Sequence, residues 1–227
     1  MRQILVYSDS LSWGIVPSTR KRQPFEARWP GVMEIALHAQ GQSVRVIEDC
    51  LNGRRTVWED PFKPGRNGLV GLAQRIEMNS PLDLVMLMLG TNDFQSMHPH
   101  NAAHAAQGIA ALIGAIRQAP IEPGMPIPPI LVIVPPRILV PRGPIAAKFT
   151  GAAEKSAGLS EAYRAVAAEL GCHFFDAGSV TSASAVDGIH LDADQHQSLG
   201  KALAHVVAAL PGVLPGVLPG VLPPAMT

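Results

Sequence analysis

A serine, an asparagine, an aspartate and a histidine stand in short polar segments next to predicted strands or helices. Ser10 follows the apolar run 4–7, and Asn92 follows the run 82–89. Asp187 and His190 share the segment Asp187-Gly188-Ile189-His190, close to the last predicted helix. Parallel strands place their carboxyl ends along one edge of a sheet. We therefore expect these four side chains to meet and to form the site of a serine hydrolase.

The chemistry of these residue types assigns a role to each of them. A serine hydroxyl is a weak nucleophile until a base takes its proton, so we expect Ser10 to need His190. An aspartate three residues before a histidine can bind ring Nδ1 and fix the tautomer, which is the role expected of Asp187. The predicted oxyanion donors are the backbone N–H of Ser10, the backbone N–H of Gly53 and the side-chain amide of Asn92. Because the imidazole must be neutral to act as base, activity should fall at low pH.

Each of these signals also has an ordinary structural explanation. A serine after a strand often caps a helix, and Asn92 can shape a turn. The Gly-x-Ser-x-Gly elbow does not surround Ser10, which argues against the α/β-hydrolase fold. A second hypothesis is therefore a non-catalytic module that binds carbohydrate or nucleotide. The first loop lacks Gly-x-Gly-x-x-Gly, which disfavours a dinucleotide.

Hydrophobic periodicity predicts strands that alternate with helices along the chain. The predicted strands are 2–7, 43–48, 82–89, 130–134 and 173–176, and the predicted helices are 29–40, 70–78, 102–118, 152–170 and 192–210. This alternation predicts a three-layer α/β/α fold around a central, about five-stranded parallel sheet, of flavodoxin-like type. The loops 50–69 and 135–150 are long enough to suggest function. Residues 211–227 repeat Leu-Pro-Gly-Val and are predicted to be a flexible tail outside the domain 1–210.

Composition excludes several classes of protein. Hydrophobic residues make up 47% of the chain and charged residues 16%, which supports a full core and argues against disorder. A formal net charge of +0 argues against a nucleic-acid partner. No apolar run is long enough to span a membrane. Cleavage of a leader would remove Ser10, so we expect a cytoplasmic protein, with Cys50 and Cys172 as free thiols.

Four short blocks of the sequence resemble those of the SGNH (GDSL) hydrolases, in the family's order. They are Ser8-Asp9-Ser10-Leu11-Ser12, Asn52-Gly53, Gly90-Thr91-Asn92-Asp93 and Asp187-Gly188-Ile189-His190. The resemblance covers about residues 2–210 and is strongest to the arylesterase and acyltransferase subgroup. That likeness also uses Arg28-Trp29-Pro30-Gly31-Val32, Asn67-Gly68 and Phe174-Phe175-Asp176-Ala177-Gly178-Ser179.

The resemblance implies an SGNH hydrolase fold and a serine esterase acting on short esters, with possible acyl transfer to alcohols or peroxide. It implies Ser10, His190 and Asp187 as the catalytic triad, with Ser10, Gly53 and Asn92 as oxyanion donors. It further implies a homo-oligomer whose loops narrow the entrance. One position departs from the family pattern, because Ser8 replaces the leading glycine and puts the geometry of the turn in question.

Other side chains near these blocks are candidates for binding. An apolar pocket for a short acyl chain is predicted from Leu11, Trp13, Thr91, Phe94 and Ile189. Arg54 and Arg55 are candidates for recognition of an anionic group, unless one or both form an ion pair with Glu59 or Asp60. The histidines 98, 100 and 104 cluster but lack an acidic partner, so we expect no metal and no cofactor.

Overall fold

A five-stranded parallel sheet forms the centre of the computed structural model, which describes residues 1–214. The strands are β1 (Arg2–Ser8), β2 (Val44–Cys50), β3 (Leu84–Met88), β4 (Ile130–Val134) and β5 (His173–Asp176). Their order across the sheet is β2-β1-β3-β4-β5, and each neighbouring pair is parallel. The predicted fold class is confirmed.

Helices cover both faces of the sheet and give it the predicted three layers. The helices are α1 (Ser10–Trp13), α2 (Trp29–Ala39), α3 (Leu72–Asn79), α4 (Ala102–Arg117), α5 (Ala152–Lys155), α6 (Leu159–Glu169) and α7 (Ala193–Ala209). Helices α2 and α7 pack together over one face, where Trp29, Met33 and Leu203 are buried. Helices α3, α4 and α6 cover the other, where Ile109 and Tyr163 are buried. All residues of β3 and β4 are buried, which explains their continuous apolar runs.

The structure differs from the predicted elements most clearly in α5 and α6, in the loop after β4 and in the turn after β1. The predicted helix 152–170 is two helices, because the chain between α5 and α6 turns at Gly158, whose φ of 79° is left-handed. The predicted loop 135–150 contains a short 3-10 helix, Gly143–Phe149. Where a polar turn was predicted after β1, the structure has the first residue of α1, Ser10.

The packed part of the chain continues beyond the predicted domain boundary at residue 210. Val213 is fully buried and Leu214 is nearly so, and both pack in the core under α2 and α7. The first Leu-Pro-Gly-Val unit therefore closes the end of this core. The rest of the predicted flexible tail, residues 215–227, lies outside the described residues. Within residues 1–214, no helix has the length and apolar character needed to cross a bilayer.

Candidate active site

Ser10, His190 and Asp187 lie in a hydrogen-bonded line at the carboxyl edge of the sheet. His190 Nε2 is 3.2 Å from Ser10 Oγ, and His190 Nδ1 is 2.7 Å from Asp187 Oδ2. All three residues are buried, with exposed fractions of 7% for Ser10, 5% for His190 and 1% for Asp187. The sequence places Ser10 and His190 180 positions apart, and the fold brings them into contact.

Asp187 is held in its ionised form by its neighbours. Burial acts to raise its pKa, but the hydrogen bond and charge of His190 outweigh this and lower the pKa to about 2. Asp187 Oδ1 also accepts from the backbone N–H groups of Ile189 and His190, at 3.0 and 2.9 Å. Because an ionised carboxylate only accepts, His190 Nδ1 must carry the proton. The lone pair of Nε2 then faces the hydroxyl of Ser10.

The turn that presents Ser10 is fixed by side chains on either side of it. Asp9 caps α1, since its Oδ1 accepts from the backbone N–H of Leu11 at 2.9 Å. Ser8, where the family has glycine, is fully buried and donates to the carbonyl of Met88 at 2.7 Å. Ser12 donates to Ser8 Oγ at 2.6 Å. The hydroxyl of Ser8 therefore links the end of β1 to the end of β3 by a hydrogen bond. Because it also accepts from Ser12, its burial leaves no unpaired polar atom.

The backbone N–H groups of Ser10 and Gly53 are the two predicted main-chain donors. Gly53 has a φ of 86°, a left-handed conformation that disfavours side chains, and it lies in the loop after β2. No hydrogen bond among residues 1–214 uses the N–H of Gly53 or of Ser10. Both groups have the chemistry of oxyanion donors.

Asn92 is more constrained than its predicted role requires. Its Nδ2 donates to Asp9 Oδ2 at 2.9 Å and to the carbonyl of Arg54 at 3.2 Å. Its Oδ1 accepts from Gln95 Nε2 at 2.7 Å, which fixes the orientation of the amide. The two amide hydrogens thus already have acceptors, and donation to a substrate oxygen requires the longer bond, to Arg54, to be released. Burial raises the pKa of Asp9 to about 6, against the bonds from Leu11 and Asn92 that lower it.

The side chains of Arg54 and Arg55 are held by contacts with other residues of the domain. Arg54 donates to Asp49 Oδ1 at 2.7 Å and lies over the ring of Tyr7 at 3.9 Å from the centroid. Arg55 is fully buried and lies 3.1 Å from Asp60 Oδ2, as the sequence suggested. Recognition of an anionic substrate group by either residue would first require these contacts to break.

The predicted histidine cluster forms an aromatic stack. His100 stacks on Trp58 with ring centroids 3.9 Å apart, and His98 lies 5.0 Å from His100. Burial, followed by the charges of Arg55 and His100, lowers the pKa of His98 to about 4. Across the described chain, no three His, Cys, Asp or Glu residues form a group that could hold a metal ion.

Two of the five predicted pocket residues line a cavity next to the sheet. Thr91 and Phe94 line a cavity of about 410 Å³ beyond the ends of β3, β4 and β5, whereas the other three are absent from its walls. Leu11 is buried in the core under α2, and Ile189 is buried on the opposite side of the sheet. Trp13 is half-buried beneath the guanidinium of Arg22, 4.9 Å from the ring centroid.

Two residues that support the site were not among those predicted from the sequence. The backbone N–H of Ser18 donates to Asp187 Oδ2 at 3.2 Å. Gln95 is fully buried and orients Asn92. Ser18 lies in a polar loop with no periodic pattern, so nothing in its residue type indicates this contact. Gln95 could have been noticed three residues after Asn92, at the spacing of one helical turn.

Taken together, these elements define a parallel α/β domain with a Ser–His–Asp arrangement at the carboxyl ends of its strands. The model of the GDSL-like lipase/acylhydrolase family matches residues 9–211. The chain belongs to this family.

Three relatives show what this chain is similar to. A carbohydrate acetylesterase from Sinorhizobium meliloti superposes with a TM-score of 0.86 at 36% identity, over 92% of this chain and 99% of that one. The native aryl esterase of M. smegmatis superposes with a TM-score of 0.86 at 36% identity, over 91% and 98%. An arylesterase of Vibrio mimicus is 36% identical over 91 residues. That last match spans 40% of this chain and only 38% of the relative.

Proposed function

We propose that this protein is a serine esterase that hydrolyses short-chain carboxylic esters, either aryl esters or acetylated carbohydrates, through an acyl-enzyme. The observation that carries the proposal is the line from Asp187 through His190 to Ser10. The similar proteins named as aryl esterase and carbohydrate acetylesterase support it. They also argue against the binding-only module, since both names describe ester hydrolysis.

The first half of the reaction forms the acyl-enzyme. His190 Nε2 takes the proton of Ser10 while Oγ attacks the ester carbonyl carbon. Negative charge develops on the carbonyl oxygen. We expect the N–H groups of Ser10 and Gly53 to bind it, together with the amide of Asn92 once its bond to the carbonyl of Arg54 is released. Asp187, ionised because its pKa is lowered to about 2, stabilises the imidazolium. The tetrahedral intermediate collapses when His190 returns the proton to the alcohol that leaves.

The second half releases the acid. Water gives a proton to His190 and attacks the acyl carbonyl, and Ser10 recovers its proton when the intermediate collapses. An alcohol or a peroxide in place of water would take the acyl group, which is acyl transfer. The same residues serve both outcomes, so their balance depends on how far water is excluded.

The test is release of nitrophenol from nitrophenyl esters, from acetyl to octanoyl, by the wild type and by Ser10→Ala. We expect acetyl and butyryl esters to turn over fastest and the variant to lose at least about a thousandfold in kcat. Ser198→Ala, at an exposed serine of α7, is the matched control and should keep wild-type rates.

A serine-reactive phosphonate supplies an independent readout. It should label the wild type at Ser10 and leave Ser10→Ala unlabelled. Equal rates for wild type and Ser10→Ala, together with no labelling of a folded sample, would reject the esterase and favour a binding module.

Assembly and location complete the proposal. We expect a homo-oligomer, because apolar side chains are exposed on the two long loops, including Phe62 at 83% and Val140 at 72%. We expect a cytoplasmic location, which suits the free thiols of Cys50 and Cys172. Light scattering of the purified protein tests the first, and a monomer at micromolar concentration would contradict it.

A further inference from the structure

A chain of three hydrogen bonds runs through buried side chains on both sides of Ser10. Trp29 Nε1 donates to Ser12 Oγ at 3.0 Å, and Ser12 Oγ donates to Ser8 Oγ at 2.6 Å. Ser8 Oγ then donates to the carbonyl of Met88 at 2.7 Å. All three side chains are fully buried. The chain therefore connects α2, α1, β1 and β3 by polar bonds that are shielded from water.

The direction of these hydrogen bonds is fixed at both ends. The indole N–H of Trp29 can only donate, and the carbonyl of Met88 can only accept. Each hydroxyl between them therefore accepts one bond and donates one. Bonds in such a row polarise and strengthen one another where the dielectric constant is low. Removal of either hydroxyl leaves a buried polar group without its partner, which costs more than the bond contributed.

The main chain of Ser8 holds the loop that carries Gly53. Its carbonyl accepts from the N–H of Leu51 at 3.0 Å and from Arg54 Nη1 at 2.9 Å, and these two residues flank the segment with Gly53. A main-chain carbonyl is present in every residue type. These two contacts therefore do not depend on the side chain at position 8.

The side chain of Ser8 makes the connections that a glycine could not make. The bond from Ser12 Oγ to Ser8 Oγ closes the turn 8–12, and Ser10 lies at the middle of this turn. The bond from Ser8 to Met88 joins the same turn to the end of β3, four positions before Asn92. The hydroxyl of Ser8 therefore links the segment of the nucleophile to the segment of the predicted oxyanion amide.

Position 8 is also where this chain departs from the family pattern, which has glycine. A glycine has no hydroxyl, so in this chain it would leave the hydrogen of Ser12 without its acceptor and take a donor from the carbonyl of Met88. The surroundings of Ser8 are thus matched to a serine. Its hydroxyl is buried and fully paired, so it acts on the reaction only through the residues that it holds.

We propose that Ser8 and Ser12 are positioning residues, whose hydrogen-bonded chain fixes Ser10 relative to Asn92. The inference rests on the proposed esterase function and adds two residues to the groups on which turnover depends. It has a consequence specific to this chain: the family's glycine, placed at position 8, should lower activity rather than raise it.

The test measures kcat and KM on nitrophenyl acetate for single variants of the intact protein. We expect Ser8→Gly and Ser8→Ala each to lower kcat about tenfold with little change in KM, because they misplace a reacting group without touching the substrate. Ser12→Ala should lower kcat less, about threefold, because the bond from Ser8 to Met88 remains. The matched control is Ser80→Ala, which removes a hydroxyl that donates to the carbonyl of Ile76 at 2.8 Å, ahead of β3. It should keep the wild-type kcat.

Two further measurements separate positioning from a general loss of stability. If the chain acts as a unit, Ser8→Ala/Ser12→Ala should lose no more kcat than Ser8→Ala alone, so the two effects are not additive. A serine-reactive phosphonate should label Ser10 more slowly in the Ser8 variants, by the same factor as kcat. Urea unfolding shows that each variant is folded under the assay conditions.

The outcomes distinguish this inference from the function on which it rests. A wild-type kcat in folded Ser8→Gly and Ser8→Ala overturns the positioning role and leaves the esterase intact, even if both variants are less stable. Losses that multiply in the double variant overturn the action of the chain as a unit. If Ser8→Gly does not fold, a wild-type kcat in Ser12→Ala overturns the proposal in its place. A wild type that neither hydrolyses the ester nor reacts with the phosphonate overturns the esterase itself.

Discussion

The backbone N–H of Ser18 points at Asp187 Oδ2 over 3.2 Å, although the two residues are 169 positions apart. Ser18 is the only residue other than glycine with a positive φ among the described residues, at 57°. A non-glycine residue in this region costs of order 1–3 kcal/mol and persists only where its surroundings impose it. The contact adds a third backbone donor to Asp187, after those of Ile189 and His190. The residue with the strained backbone, Ser18, is therefore also one that holds Asp187 of the candidate triad in place.

Ser18→Pro should impair turnover because proline has no N–H and cannot adopt this φ. We expect kcat on nitrophenyl acetate to fall about tenfold with little change in KM, because the change acts on Asp187 rather than on the substrate. Ser18→Gly keeps the N–H and relieves the strain, so it should retain wild-type kcat and unfold at the same or a higher temperature. A wild-type kcat in Ser18→Pro would show that the contact does not position Asp187.

Asn92→Ala should lower kcat by about 10²–10³, the usual effect of removing one oxyanion donor. KM should change little, because the donor acts in the transition state and is engaged by Asp9 and Arg54 in the free protein. Steady-state kinetics on nitrophenyl acetate measure both constants. Asn101→Ala is the control: it removes the cap of α4, costs about 1 kcal/mol of stability and should leave kcat unaltered. A rise in KM with an unchanged kcat would instead assign Asn92 to binding of the substrate in the ground state.

The sequence predicted the sheet and the four site segments because both depend on local signals. The buried runs of β3 and β4 and the Asp-x-x-His spacing are visible in the chain itself. The pocket stays a prediction, and the structure adds that Leu11 and Phe94, which follow neighbouring strands, lie in cores on opposite faces of the sheet. The face on which such a side chain packs depends on the direction in which the chain leaves the end of its strand. Residue type does not encode that direction.

The contacts that support the site could not be predicted from the sequence, for a related reason. Ser18 acts through its backbone, which every residue except proline provides, so its residue type carries no signal. Contacts between distant loops depend on tertiary packing and require the coordinates.

Asp93 should make the protein less stable as the pH rises from about 4 to 7. It is fully buried, and burial raises its pKa from 3.8 to about 7, against hydrogen bonds from Thr56 that lower it. Between these values the unfolded chain has lost a proton that the folded protein keeps, so the free energy of unfolding falls with pH. The slope for one proton is at most about 1.4 kcal/mol per pH unit.

Asp93→Asn tests this contribution. The variant should match the wild type near pH 4 and exceed it at pH 8, because its amide does not ionise and can still bond Thr56. Urea unfolding across pH 4–8 measures the difference, with Asp194→Asn on the exposed face of α7 as control. Parallel stability curves for wild type and Asp93→Asn would mean that Asp93 is not protonated in the fold at pH 4–7.

Gly90→Ala should destabilise the turn that carries Asn92. Gly90 has a φ of 119°, and an added Cβ would lie 2.3 Å from the hydroxyl oxygen of Tyr163. That hydroxyl is buried and donates to the carbonyl of Leu89 at 3.1 Å, so it has little room to move. Strain and overlap together should cost about 3 kcal/mol or more in the free energy of unfolding.

Gly41→Ala separates the overlap from the backbone strain. Gly41 has a φ of 77°, and nothing lies within 4 Å of a Cβ added there, so its cost should be about 1 kcal/mol. Adding Tyr163→Phe to Gly90→Ala removes the obstructing hydroxyl and should recover part of the loss, at the expense of the bond to Leu89. Urea unfolding of the three variants measures these differences. If Gly90→Ala costs no more than Gly41→Ala, the chain after β3 has another conformation available, and Asn92 is held less firmly than its contacts with Asp9 and Gln95 indicate.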